Sequence, residues 1–379
     1  MFGLLSFWEK QSFQSYDYLV VGAGLVGLST AISIKEKRRS ASVAIVERGI
    51  LPSGASTKNA GFACFGSPTE LSADIKNVGT DLALSIVEKR WKGLELLRER
   101  LGDNHIDFQQ NGGYELISEK ETYVLDQLDE INKWLRPLFK QEVFVEKPEI
   151  VTAFGFSQKH FSTAIFNPLE GQLHTGEMMK SLIGYANLLG INIYTGTTVE
   201  KWEEESDGIK IKAQSDKQTF VFKTSQLAIC TNAFSKDLLP AIELNPGRGL
   251  VVVTEPIDDL AFKGTFHFDE GFYYFRNISG RVLFGGGRNR DFEKEETTQF
   301  GINEDIKEHL IELLQTVILQ RTVNIEMEWS GIMAFGESKE PIIQKLSNNV
   351  VVGARMGGMG VAMGTKVGEE LSELMLSED

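Results

Sequence analysis

The sequence predicts an α/β protein in two domains: a dinucleotide-binding domain with a mixed central sheet, and an α+β domain built on an antiparallel sheet. Three observations carry this. A glycine-rich turn joins a strand to a helix near the start, a β-rich stretch runs from about residue 248 to 288, and a strand, a second glycine turn and a helix close the chain. The 379 residues, 42% hydrophobic and 24% charged, suit about two globular domains and disfavour disordered, collagen-like and disulfide-scaffold chains. Lys and Arg number 39 against 53 Asp and Glu, and the resulting net charge of −14 excludes nucleic acid as an expected partner. The two cysteines, Cys64 and Cys230, have no metal-ligand spacing, so no metal is expected.

The first residues, Met1 to Trp8, lack the basic segment and apolar length of an export signal, and no run reaches the ~20 apolar residues of a membrane span. A cytoplasmic location is expected. Phe2, Leu4, Leu5, Phe7 and Trp8 could touch a membrane surface, but packing on the protein itself is the favoured reading.

Tyr18–Val21 reads as a strand, Gly22-Ala-Gly-Leu-Val-Gly27 as a turn, and Leu28 to Lys37 as a helix. This is a Rossmann-like fingerprint. Gly22 permits the tight turn, Gly24 lets backbone amides approach a pyrophosphate, with Leu25 and Val26 at the helix start, and Gly27 lets helix and strand pack closely. A second strand, Ser42–Val46, ends at Glu47-Arg48, where the carboxylate can accept from an adenosine ribose. A small, hydroxyl-rich loop, Gly49 to Phe62, follows and suits a long ligand lying against backbone.

With Gly54-Ala-Ser-Thr-Lys-Asn-Ala-Gly61, the sequence resembles the FAD-dependent oxidoreductases of the D-amino-acid oxidase superfamily, in motifs nearest to γ-glutamylputrescine oxidase and glycine oxidase-like enzymes. The resemblance implies an FAD-binding domain, Ser56 and Thr57 on the flavin phosphates, and Lys58, Asn59 and Gly61 near the ring.

Further along, Gly171–Gly190 reads as a helix, and strands at Val199–Trp202, Gly208–Ala213 and Thr219–Lys223 form a small antiparallel unit before Gln226–Phe234. The resemblance places Val199 at the adenine, and Thr231 and Asn232 near the pyrophosphate; a core valine and helix-cap roles are equally open. Strands from Arg248–Glu255, Gly271–Arg276 and Arg281–Arg288 would roof the ring. Adjacent strand residues face opposite ways, so Tyr273 and Tyr274 do not both point at the ring; the second is favoured at the site, with core packing equally open for either. Residues 300 to 320 carry an amphipathic helical pattern. Finally Asn349–Val352, Gly353–Gly360 and the helix Val361–Leu376 return to the first domain. The resemblance sets Gly357, Gly358, Met359 and Gly360 at the flavin's pyrimidine edge, with Gly331, Arg355 and Met356 nearby. A helix N-terminus there would favour the anionic reduced ring.

Three departures from the family pattern narrow the function. In the Trp329-Ser-Gly-Ile-Met-Ala334 segment, Met333 stands where amino-acid oxidases hold the substrate carboxylate with an arginine. Arg355, Arg276, Arg288 or Arg248 are the possible substitutes. No cysteine follows Cys230, so non-covalent FAD is expected. Leu283 occupies the position of the oxygen-activating lysine of sarcosine oxidases, and Lys58 could supply a cation instead.

The expected function is oxidation of a C–N bond of a small amine or amino acid to an imine, with Lys58, Tyr274 and Arg355 as candidate catalytic residues. Alternatives are a dehydrogenase of the same fold passing electrons to another carrier, and a non-catalytic flavin-binding protein. The five histidines do not cluster, and none is assigned a role. Expected domain segments are 1–85, 153–235 and 325–379 for FAD, and 86–152 and 236–324 for substrate. The oligomeric state is not legible.

Overall fold

Apolar runs without alternation become strands buried on both faces, and these build the first sheet. Residues 6–216 and 218–377 are described in the computed structural model, so Phe2, Leu4 and Leu5 lie outside them. The sheet runs Ile342–Lys345, Val350–Ala354, Gln218–Ile229, Ser15–Val21, Val43–Val46, Asn192–Tyr194. Its inner pairs are parallel, with Val20 between Ala228 and Ile45, and Ala228 beside Val351. Ile342–Lys345 adds an antiparallel edge, so the sheet is mixed.

Where the sequence suggests separate strands at Thr219–Lys223 and Gln226 onward, the structure has one, Gln218–Ile229. Its first half pairs antiparallel with Gly208–Ser215, and its second half enters the parallel core. The helices Leu25–Lys37 and Gly360–Leu376 cross on one face of this sheet. A Cβ on Gly364 would lie 2.9 Å from Leu25 Cδ2, and one on Gly368 would lie 2.6 Å from Ser29 Cβ. Their backbones therefore meet at a separation that larger residues would prevent.

The second sheet runs Ile325–Phe335, Asn245–Thr254, Arg281–Gly286, Tyr273–Ile278, Thr265–Phe268, Gly113–Ile117, Thr163–Asn167, Val145–Glu146. It is antiparallel, as expected, except where Thr265–Phe268 pairs parallel with Gly113–Ile117. That pair joins segments distant in sequence, for which no hairpin imposes an antiparallel sense. Strands Thr163–Asn167 and Ile325–Phe335 pair here, although they lie in segments expected for the first domain.

Alternation gives this sheet two unlike faces. One carries an aromatic core: Phe266 and Phe275 stack at 4.7 Å, with Phe156 and Phe262 at 5.3 and 5.1 Å from Phe266. The helix Glu304–Leu313, continued by a π turn at Leu314–Ile318, buries Ile306, Leu310 and Leu313 against it. The other face carries Val251, Val253 and Leu283, with Tyr274 and Trp329, packed on Ala60 of the first domain.

The short helix Phe7–Phe13 departs from the expected packing. Ser6 and Glu9 cap it reciprocally, but none of its residues is buried, and Phe7 and Trp8 are 67% and 70% exposed. Among the described residues no helix is long and apolar enough to cross a membrane.

Candidate functional site

The site is built from glycines that let backbone approach backbone. Gly22 has φ +102°, and a Cβ there would meet the Cys230 carbonyl at 2.7 Å. A Cβ on Gly27 would fall 1.9 Å from the Gly22 carbonyl oxygen, so helix and turn fit only without a side chain. Gly24 caps the helix, and the Leu25 amide donates to Ser56 Oγ at 2.9 Å. Ser56 thereby sits at the positive end of the helix with its own proton still available to a phosphate. Val26 packs beneath, against Gly353.

Glu47 is buried and accepts from the amides of Ala23 (2.9 Å) and Gly49 (2.8 Å). Its carboxylate lies beside the turn, with lone pairs left for ribose hydroxyls. The Thr197 amide donates to the Glu47 carbonyl at 2.9 Å, which starts the strand carrying Val199 next to this end of the site. Arg48 stacks its guanidinium over Phe234 at 3.7 Å.

Several side chains expected at the cofactor are committed to their own loop. Thr57 Oγ1 donates to the Pro52 carbonyl at 2.7 Å. The Asn59 amide donates to the Ser56 carbonyl at 2.9 Å, while its Oδ1 accepts from the Gly61 amide (2.9 Å) and the Thr175 hydroxyl (2.8 Å). A short helix, Ala55–Lys58, leaves terminal groups to satisfy, and these side chains satisfy them. The loop therefore offers backbone and Ser56. Lys58 accepts from Trp329 Nε1 through its carbonyl at 2.9 Å, directs its ammonium over Phe300 at 5.3 Å, and packs where Gly331 has no side chain. Gly61, at φ +72°, gives its carbonyl to the buried Arg276, which also donates to the Leu173 carbonyl at 2.9 Å.

At the closing turn Gly357 and Gly358 have φ +55° and +84°. No heavy atom lies within 4 Å of a Cβ placed on Gly357, so this surface is open. Met359 caps the helix that begins at Gly360, whose first turn carries no acidic residue. Arg355, at φ +64°, receives Asn232 Oδ1 on its amide and donates its guanidinium to the Glu340 (3.0 Å) and Glu243 (3.2 Å) carbonyls. It clamps two loops, so its expected catalytic role has no geometric support. Thr231 bonds Ser235 at 3.0 Å, and Asn232, at φ +46°, holds this turn through Arg355.

Opposite the turns stands the apolar face of the second sheet. Tyr274 meets Phe62 edge-on at 5.6 Å, and Phe62 meets His267 at 5.1 Å. Tyr273 points the other way and stacks on Phe268 at 4.9 Å, as alternation requires. Burial pushes the Tyr274 phenol up to about 12 and His267 down to about 4, the latter against the pull of the Glu70 charge. Both are neutral at neutral pH.

Behind this wall lies a polar cluster, buried except for Lys339, that sequence reasoning missed. Glu70 pairs with Arg90 (3.2 Å) and Lys339 (3.3 Å), and Lys339 also reaches Asp74 at 2.6 Å. Burial opposes its charge, yet Arg90 and Lys339 outweigh burial and hold Glu70 at about 2. Burial raises Glu115 to about 7 against hydrogen bonds from Thr69 and Ser67, and Glu170 to about 8 against the Phe65 amide. One signal was available: Glu115 interrupts the apolar run Gly-Tyr-Glu-Leu-Ile of Gly113–Ile117.

These features fit FAD. The glycine turns leave room for a pyrophosphate and a flat ring, Glu47 is placed for a ribose, and the aromatic wall can cover the ring's far side.

The model of the FAD dependent oxidoreductases matches residues 17–374. The "probable oxidoreductase OrdL" of Haemophilus influenzae is 23% identical over 96% of this chain and 83% of its own length. The gamma-glutamylputrescine oxidoreductase of Escherichia coli is 23% identical over 95% of this chain and 83% of its own. Among solved structures, the L-proline dehydrogenase from P. horikoshii has a TM-score of 0.78 at 19% identity, covering 96% of this chain and 94% of that one. The glycine oxidase from Geobacillus kaustophilus has a TM-score of 0.77 at 20% identity, covering 96% and 95%. The structural likenesses establish the α/β fold with mixed sheets. The family match runs from the first strand through the last helix and takes in both glycine turns: this chain belongs to the FAD dependent oxidoreductase family, and is an enzyme whose cofactor is FAD.

Proposed function

We propose that the enzyme oxidises a C–N bond of a small amine or amino acid to an imine, which water then hydrolyses. The observation that carries this reading is the neutral wall of Tyr274, Phe62, His267 and Leu283 opposite the glycine turns. An amine gives up a hydride equivalent in its uncharged form, and a desolvated wall favours that form over the ammonium. Bound FAD supplies the electron-accepting chemistry. The chain's residues orient the substrate, exclude water and keep Tyr274 protonated as a hydrogen-bond donor. The names of two similar proteins, gamma-glutamylputrescine oxidoreductase and glycine oxidase, support amines and amino acids as the substrate class.

FAD is held without a covalent bond in this reading. Cys64 and Cys230 are both buried, and burial raises both thiols, Cys230 to about 12, which makes them weak nucleophiles. Two free thiols also accord with the cytoplasmic location proposed here. The first sheet with its helices forms the FAD domain and the second sheet the substrate domain. Leu283, buried in the apolar wall, favours a second reading of the oxidative half-reaction in which a carrier other than oxygen takes the electrons.

The test is an absorbance spectrum of the purified protein, then anaerobic titration with amines, N-methyl amino acids and D-amino acids. Bleaching of the flavin band by one of these supports the reading. Rapid recovery in air selects oxygen as acceptor, and recovery only with a quinone selects the carrier. Flavin that no amine bleaches removes the proposed substrate class.

A further inference from the structure

The short segment Gly336-Glu-Ser-Lys-Glu-Pro341 carries the chain from Ile325–Phe335, an edge strand of the second sheet, to Ile342–Lys345, an edge strand of the first. It is a strap between the sheets, and both of its ends grip the glycine turn at 355–358. At one end the Gly357 amide donates to the Ala334 carbonyl at 3.1 Å, and a Cβ on Gly336 would stand 2.6 Å from Arg355 Cδ. At the other, Arg355 Nε donates to the Glu340 carbonyl at 3.0 Å. Arg355, Gly357 and Gly358 all have positive φ, and a non-glycine residue at +64° persists only where its surroundings impose that conformation. The strap is part of those surroundings, so the shape of the turn depends on where the strap lies.

The tip of the strap is tied elsewhere. Lys339 reaches the helix Pro68–Val78, where its ammonium lies 2.6 Å from Asp74 and 3.3 Å from Glu70, and Glu70 also pairs with Arg90 at 3.2 Å. Two carboxylates and two cations balance. Glu170 and His267 nearby leave this balance alone at neutral pH, because burial pushes them to about 8 and about 4 and keeps both uncharged.

The four groups differ in their access to water. Arg90 and Asp74 are buried, whereas the Lys339 side chain keeps 46% of its surface exposed. Lys339 can therefore return its ammonium to solvent at little desolvation cost. Its departure leaves Glu70 with Arg90 but takes from Asp74 the cation that faces it, and a buried carboxylate without a partner is costly. The contact is thus favoured by the helix and escapable by the strap.

We propose that Lys339 is a latch: docked on Glu70 and Asp74 it holds the strap, and through the strap the glycine turn, in the form that retains FAD, and its release sets the rate at which the cofactor enters and leaves. Lys339 is a positioning residue here, acting through Arg355 and the backbone of the turn. The proposal goes beyond the oxidation reading and does not depend on the substrate; it rests on FAD lying against the turn at 357–360.

The test uses the full-length FAD-loaded protein. Bound FAD is exchanged against excess deaza-FAD and followed by loss of the flavin absorbance. Hydrogen–deuterium exchange reports separately on residues 336–341 and, as the reference for global unfolding, on Thr265–Phe268 beside the aromatic core. Lys339→Ala is expected to speed FAD exchange by about tenfold or more and to quicken amide exchange in the strap, with Thr265–Phe268 unchanged. Lys339→Arg keeps the cation and should stay within about threefold of the unaltered protein. Asp74→Asn should speed FAD exchange as well, and the double variant should exceed the faster single variant by no more than about twofold, since both remove one contact. FAD exchange in Lys339→Ala within about twofold of the unaltered protein overturns the proposal. Faster amide exchange in Thr265–Phe268 as well as in the strap also overturns it, since that is a general loss of stability. A strap that exchanges faster while FAD release stays the same removes the hold of Lys339 on the cofactor. The amine titration plays no part in these outcomes, so the oxidation reading stands or falls separately.

Discussion

The first sheet and its two turns are organised around missing side chains, whereas the second sheet is organised around large ones. At Gly22, Gly27 and Gly368 an added carbon would meet its nearest neighbour at 2.7, 1.9 and 2.6 Å. In the second sheet Phe266, fully buried, stands among Tyr114, Phe156, Phe262 and Phe275. The first arrangement brings backbone amides to a common ligand. The second leaves backbone remote and presents side chains. The contrast teaches that the cofactor half is specified by what cannot be added, and the substrate half by the side chains that fill it.

Mutations should separate the halves, beginning with the largest effect. Phe266→Ala should cost about 3–5 kcal/mol by leaving a cavity in the aromatic core. Denaturant unfolding measures it, and a loss below about 1 kcal/mol would mean that the core collapses to fill the space. The folded variant should still bind FAD.

Next in size is a pH effect in the polar cluster. Glu170 is raised by burial to about 8, above its ordinary 4.5, so the folded state holds its proton more tightly than the unfolded one. The stability this contributes is complete below about pH 4.5 and is lost as pH rises through about 8. Glu170→Gln should therefore reduce the fall in stability between pH 5 and 9 by on the order of 2 kcal/mol. An unchanged slope would place the titration elsewhere.

Gly27→Ala should destabilise by about 1–3 kcal/mol and, unlike Phe266→Ala, strip the protein of flavin, because helix and turn must separate. Ultrafiltration followed by a spectrum distinguishes the two; retained flavin would show that the Gly22 turn can yield. The smallest effect compares neighbours. Tyr274→Phe should slow anaerobic flavin reduction by about tenfold, the worth of one hydrogen bond, while Tyr273→Phe should leave it unchanged. Equal rates in the two variants would deny Tyr274 a place at the substrate.

Legibility followed the same division. Gly22, Gly24 and Gly27 sit in one short run, with Glu47 at the end of the next strand, and their spacing alone implies their geometry. Gly357 and Gly358 were readable because a strand and a helix flank them. The wall was less so. Alternation separated Tyr273 from Tyr274, but nothing local links His267 to Phe62, or Lys339 to Glu70 and Asp74, since each pair forms only when distant segments meet. The roles expected of Asn59 and Thr57 also moved, because a polar side chain in a turn can serve its own backbone as readily as a ligand, and spacing does not say which. Among the arginines, sequence supplied the candidates and tertiary partners distinguished them.

The crossing of the Leu25–Lys37 and Gly360–Leu376 helices at Ser29 and Gly368 bears on the order of assembly during synthesis. Ser29 leaves the ribosome early, and Gly368 follows only after every strand of both sheets. A nascent chain can form its first glycine turn but lacks the helix that braces it, and long-range closure of this kind is slow compared with local folding. The cofactor site is thus a late product of folding, so FAD should be captured after synthesis, in a step whose rate depends on free FAD more than on translation.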